Sequence, residues 1–241
     1  MKKIIASAVG LALVGGVAVT TASAVESQFG GYWRTRMFVQ SDFTGQDTAD
    51  YNRTDNRTRL YYTAKFNDDF KFVNRFEFNT TWGDENGGDV GSDGDTFRIK
   101  HSYADFTLGN VHTSIGQQGR VISRGFLFDD DFSGVVITPS FGDVKVPVLY
   151  AMEVDDDVTG AGGDVHFVAV SPSFKLDNFT ITPNVAYLNG TSEIDFDMSW
   201  VGLDVDATFD SFSEWGSFIY STGDKLYGSG DDQDGYLVDQ V

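Results

Sequence analysis

Apolar and polar residues alternate with period two in segment after segment of this 241-residue chain. The turns between segments alternate short and long, and the polar faces are dense in charge. Together these features predict an all-β fold, a transmembrane antiparallel β-barrel. The clearest instance is Phe70 to Thr81. Phe70, Phe72, Asn74, Phe76 and Phe78 share one face, and Lys71, Val73, Arg75, Glu77 and Asn79 share the other. Upstream, Leu60, Tyr62, Ala64 and Phe66 alternate with Arg57, Arg59, Tyr61, Thr63 and Lys65. The short turn Asn67-Asp68-Asp69 joins the two segments into a hairpin, and most of the chain repeats that unit.

Residues 1–24 read as a secretory signal peptide. Lys2 and Lys3 precede an apolar run from Ile4 to Val19, and Ala22-Ser23-Ala24 forms a cleavage site. The expected barrel domain is 25–241. There is no cysteine, so neither disulfides nor thiol chemistry is available. Without Lys2 and Lys3 the chain carries 15 basic against 36 acidic side chains, a net charge of −21. That balance excludes nucleic acid as a partner and excludes a basic interfacial helix. The 27 glycines, 4 prolines and 35 aromatic residues suit many strands joined by Gly/Asp/Asn turns.

In chain order, the first strand is Phe29 to Phe43, with Trp33, Met37 and Val39 opposite Tyr32, Arg34, Arg36 and Gln40. Thr44–Asp55 reads as a polar loop, and the hairpin above follows. Trp82–Asp95 is a longer loop. Thr96 to Phe106 is a strand with Phe97, Ile99 and Tyr103 on one side and Arg98, Lys100, Ser102 and Ala104 on the other; His101 breaks the apolar face. Val111 to Gln117 follows a short turn. Gly116–Gly134 loses its alternation and reads as a long loop, part of which folds inward. Val135–Thr138 pairs with Val144–Glu153, and Asp164–Leu176 with Phe179–Leu188. Phe196–Phe209 pairs with Glu214–Ser221, and Tyr236-Leu237-Val238 starts a last strand. This gives about 11–12 strands, and most are long enough to cross a bilayer when tilted.

In a barrel the charged faces line the interior and the apolar faces meet lipid. Arg34, Arg36, Arg57, Arg59, Lys71, Arg75, Arg98 and Lys100 then line the pore, with Glu77 beside them. Trp33, Tyr62, Phe66, Phe70, Phe78, Tyr103, Trp200, Phe209 and Trp215 form an interfacial girdle. All nine arginines lie between Arg34 and Arg124, whereas 22 acidic residues follow position 125. A basic wall would thus face a wall holding Asp204 and Asp206, a transverse field able to orient an anionic or dipolar solute. The plainer alternative pairs the arginines with nearby carboxylates that only hold the wall together. The competing fold is a soluble β-sandwich, a surface-exposed structural or adhesive protein, since alternation alone does not say which face is wet.

Tyr32-Trp33-Arg34-Thr35-Arg36, the basic stretch Asn56 to Leu60, and Gly116-Gln117-Gln118 followed by Arg124-Gly125 carry a likeness. Through them the chain resembles the outer-membrane porins of Gram-negative bacteria, and among these the alginate-export-like group. The resemblance implies a channel for passive diffusion of small hydrophilic solutes, anionic ones among them, after Sec-type export to the outer membrane. Outer-membrane lipid and lipopolysaccharide would surround it. It places Arg34, Arg36, Arg57, Arg59, Arg98 and Arg120 against an anionic or polyhydroxy solute. It also makes the segment with Gln117, Arg120 and Arg124 a constriction loop. The end at Val241 departs from the aromatic last residue usual in such barrels, so the chain is expected to be an N-terminal fragment; the alternative is a complete twelve-stranded barrel.

Enzymatic chemistry is not expected. His101, His112 and His166 are scattered, and no Gly-x-Ser-x-Gly elbow is present. His101 and His112, on strands flanking a short turn, are the one pair that could meet. No cofactor is implied. Asp129-Asp130-Asp131 is oxygen-rich enough for weak calcium binding, but no segment matches the calcium-loop pattern and a solvated loop is the simpler reading.

Overall fold

The computed structural model describes residues 25–40, 51–85, 87–91, 97–191, 196–223 and 233–240. The expected signal peptide lies outside them, as do parts of the expected loops 44–55, 82–95 and 222–235. The chain is all-β, a single antiparallel sheet. Its strands are β1 (Glu26–Gln40), β2 (Tyr51–Asn67), β3 (Phe70–Thr81), β4 (Phe97–Leu108), β5 (Val111–Ile122), β6 (Phe128–Phe141) and β7 (Val144–Lys145). There follow β8 (Val148–Val154), β9 (Val165–Val170), β10 (Phe174–Leu176), β11 (Phe179–Gly190), β12 (Asp197–Phe209), β13 (Phe212–Gly223) and β14 (Gln233–Gln240). Neighbours in sequence are neighbours in the sheet, except that β7 and β10 are short extensions beside β6 and β11. No ladder among the described residues joins β1 to β14.

The sheet is rolled. Five ladder steps separate β6 from β13, about 24 Å along a flat sheet. Yet the turn after β5 touches Asp204 on β12 and Ser217 on β13 directly. Only curvature brings them together. The roll gives the faces opposite character. Phe29, Trp33, Met37, Ile99, Ile137, Val185, Val201, Leu203 and Phe218 are exposed on the outside. Asp55, Glu77, His101, Ser114, Gln118, Asn184, Asp204 and Ser217 are buried on the inside. A water-soluble sandwich has the reverse arrangement.

The registers correct several expectations. β2 begins at Tyr51, so Tyr51–Asp55 is strand rather than loop, and it pairs with Arg36–Gln40. A bulge between Arg75 and Phe76 shifts the β3–β4 register, so that Arg75 faces His101 while Phe76 faces Ile99. Lys100 is the extra residue, and parity flips after it. His101, Tyr103 and Asp105 therefore follow Arg75, Val73 and Lys71 to the inside, while Ser102 and Ala104 go outside. Val144–Glu153 and Asp164–Leu176 are each two strands, interrupted beside Pro147 and Pro172, which have no N–H for a ladder. The girdle is also smaller than expected. Trp200 packs on the interior core and Trp215 lies under an interior arginine.

Candidate functional site

The segment Gly116–Gly134 is no long loop. It is most of a β-hairpin, paired as far as Ile122 opposite Phe128. Its flanking ladders stop early. β4 releases β5 after the Ser102–Gln117 pair, and β8 releases β6 at the Ser133–Met152 pair. Residues 118–132 are thereby free of the wall and lie across the interior. One face carries Ile122, Phe128 and Phe132, which pack on Leu149, Ala151, Phe167, Ala169 and Ala186. Phe128 stacks on Phe167 at a centroid distance of 5.1 Å. This apolar contact fixes the hairpin against the β8–β11 side of the roll.

The hairpin tip is clamped by polar groups. Ser123 and Arg124 adopt φ of 50° and 55°, a conformation non-glycine residues rarely hold without compensation. The compensation is visible. Asp204 Oδ1 accepts from Ser123 Oγ and Ser217 Oγ, each at 2.6 Å, and Arg124 Nη1 lies 3.1 Å away. Asp204 Oδ2 accepts from Asn184 Nδ2 at 2.8 Å. Arg124 Nη2 reaches Asp206 at 2.5 Å, and the guanidinium lies 4.6 Å over the Trp215 ring. Asp204 and Asp206 are thus spent on holding the tip. They do not form a free acidic wall opposite the arginines.

The hairpin itself supplies the acid instead. Asp129, Asp130 and Asp131, with Gly119 and Arg120, border a cavity of about 600 Å³. Arg59, Arg75, Lys100 and His101 of the β2–β4 wall border it from the far side. At one edge the two sides meet. Asp131 pairs with Lys100, and its Oδ1 lies 2.8 Å from His101 Nε2. Gly119 is required there, because a Cβ would come within 2.9 Å of Asp131 Oδ1 and 3.0 Å of His101 Nε2. Asp131 is therefore committed to the wall, and among the described residues no acidic or histidine group is arranged to hold a metal ion.

The basic wall divides into paired and unpaired cations. Arg36 makes a two-pronged contact with Asp55, at 3.0 and 2.8 Å. Glu77, buried, accepts from Arg59 at 2.5 Å and from Asn79, and Arg57 stands 3.6 Å away. Lys71 lies 3.5 Å from Asp105. These cations have carboxylate partners, the arrangement the plainer alternative expects. Arg34, Arg75, Arg98 and Arg120 make no ion pair with another described residue. Arg75 lies over Tyr61 at 5.0 Å, and the Nε of Arg34 is buried without a partner.

Of the expected constriction residues, Arg120 borders the cavity and Arg124 is the clamp. Gln117 still belongs to the wall, where its side-chain amide donates to the Ile99 carbonyl at 3.0 Å. His101 and His112 do not meet. His112 pairs with Asp105 near the short turn, and His101 with Asp131. At that same end Asp68 accepts from Lys65 Nζ at 2.6 Å, a bond that holds its carboxyl below the usual carboxylate range. Glu77 was legible as part of the charged alternation. The roles of Ser123, Asn184 and Ser217 were not, because no local pattern marks a contact between segments so far apart in sequence.

No protein-family model matches the chain, and neither does any curated protein. Solved structures similar to it include in-vitro folded OmpT, an outer membrane protein of Vibrio cholerae, in its trimer form, with TM-score 0.45 and 13% identity over 90% of this chain and 82% of that one. Another is Salmonella typhi OmpF in complex with daunomycin, with TM-score 0.42 and 12% identity over 87% and 82%. A mutant of the Rh. blastica porin matches with TM-score 0.41 and 12% identity over 88% and 94%.

Proposed function

We propose that this chain is an outer-membrane channel for passive diffusion of small hydrophilic solutes, with a preference for anions. The observation that carries the reading is the divided interior. A rolled sheet with an apolar exposed exterior holds an inward hairpin, and between hairpin and wall lies a polar cavity of about 600 Å³. Arg75 and Arg120 border it without an ion pair to any described residue. Arg34 and Arg98 stand on the same inner face of β1 and β4. Unpaired guanidinium groups in a restricted, water-filled space attract anions and repel cations. The alginate-export-like likeness of the first strands fits through Arg34, Arg36, Arg57 and Arg59, which share this inner face.

The test is the reversal potential of the refolded protein in a planar bilayer under a potassium chloride gradient. The wild type is expected to be anion-preferring. Combined replacement of Arg34, Arg75, Arg98 and Arg120 by alanine is expected to move the reversal potential toward cation preference. An unchanged potential would remove these residues from the conduction path.

A further inference from the structure

The hairpin bounds a second space. A chamber of about 220 Å³ lies between residues Arg120–Ser123 and the β8–β9–β11 wall. By the share of volume a water takes in the liquid, it has room for about seven waters. From its lining we infer that this chamber is a binding site for a small neutral polyol; the inference rests on reading the interior as a solute passage.

Asn184 is 1% exposed and borders the chamber. Its Nδ2 donates to Asp204 at 2.8 Å and to the Thr182 carbonyl at 3.1 Å. Its Oδ1 is buried with no hydrogen-bond partner. A buried amide carbonyl of this kind calls for a donor. Around it stand hydroxyls that both give and accept. Thr182 Oγ1 donates to Ser173 Oγ at 3.3 Å, which leaves the Ser173 proton for another acceptor, and Ser171 lies beside them. Arg120 adds N–H donors and borders both cavities. Leu149, Ala169 and Pro147 offer apolar surface to C–H groups.

Charge favours a neutral ligand. Among the described residues Arg120 is the only cation bordering this chamber, and Asp204 borders it too. Asp204 already accepts from Ser123, Ser217 and Asn184 and pairs with Arg124, so little accepting capacity is left. The open positions are one carbonyl acceptor, several hydroxyls and one guanidinium. A carbon chain bearing adjacent hydroxyls answers all three.

The experiment is equilibrium dialysis of radiolabelled xylitol against the refolded full chain in detergent, with the ether dimethoxyethane as a competitor that lacks hydroxyl donors. Saturable binding at one site is expected, without competition by the ether. Asn184→Leu is expected to weaken it at least tenfold. Because Asn184 also supports the tip clamp, the pair Thr182→Val with Ser171→Ala serves as a second variant, expected to weaken binding several-fold with the clamp intact. Uptake that does not saturate would mean that the chamber holds water only, and would overturn the inference. Saturable binding unmoved in the Thr182→Val, Ser171→Ala variant would overturn it too. Bilayer conductance of the same preparation separates the two readings. A conducting protein without saturable xylitol binding overturns the site and leaves the channel. Saturable, variant-sensitive binding without conductance upholds the site and removes the channel.

Discussion

Glu77 and Asp204 show how acidic side chains organise the interior. Glu77 is 4% exposed and accepts from Arg59 and Asn79, with Arg57 close by. Glu77→Gln removes the charge these groups surround, and the expected loss is about 1–3 kcal/mol of unfolding free energy. Urea titration of protein refolded into lipid vesicles would read it. The same change leaves Arg57 and Arg59 unneutralised, and Arg59 borders the cavity, so anion preference is expected to rise. Asp204→Ala takes one of two carboxylates from Arg124 and leaves Ser123, Ser217 and Asn184 without their shared acceptor, and the expected loss is larger, about 3–5 kcal/mol. Equal losses for the two substitutions would contradict this ranking. Glu77 could be placed from the sequence, because period-two alternation puts it on the face of Arg57 and Arg59. The partnership of Arg124 with Asp204 could not, since 80 residues separate them and only the roll joins them.

At the scale of elements, the β5–β6 hairpin decides what the interior is. Its sequence loses alternation because Asp129 to Asp131 run through both faces of β6 between Phe128 and Phe132. Ile122, Phe128 and Phe132 meet the interior core, while Asp129 to Asp131 meet the basic wall. The parity flip of β4 was hidden too. A bulge is set by pairing with a partner strand, and nothing within Phe97–Leu108 announces it. Close backbone approach on the far side of the hairpin gives a direct prediction. A Cβ on Gly134 would lie 2.0 Å from the Tyr150 carbonyl oxygen and 3.0 Å from Ala151 Cα. Gly134→Ala therefore forces β6 and β8 apart. The expected cost is about 1–3 kcal/mol, read as a lower urea midpoint. Ser133→Ala, one residue away and exposed, is expected to change the midpoint little.

For the whole molecule, the deciding property is which face is wet. The run of long amphipathic hairpins was legible from the sequence, and so was the concentration of arginines in the first half. Alternation left the inside undecided between lipid-facing barrel and buried sandwich. The roll settles which residues are enclosed, with charge and amide groups inside and large apolar side chains exposed outside. A sheet with such an exterior, about 69% exposed at Trp33 and 73% at Met37, suits a hydrocarbon surround better than water. The expectation of an acidic wall at Asp204 and Asp206 gave way because those carboxylates hold the hairpin. The acid that faces the arginines comes from Asp129 to Asp131.

On the proposed reading, solutes pass between the hairpin and the basic wall. The chain has no cysteine, so single cysteines report without background. The most direct measurement is conductance in a planar bilayer before and after a bulky water-soluble thiol reagent, on Asp130→Cys and Ile137→Cys. Asp130 borders the large cavity, and Ile137 is exposed on the outer face. Labelling Asp130→Cys is expected to remove most of the current, and treating Ile137→Cys to leave it unchanged. Unblocked current through labelled Asp130→Cys, or block at Ile137→Cys alone, would place the path elsewhere and contradict that reading.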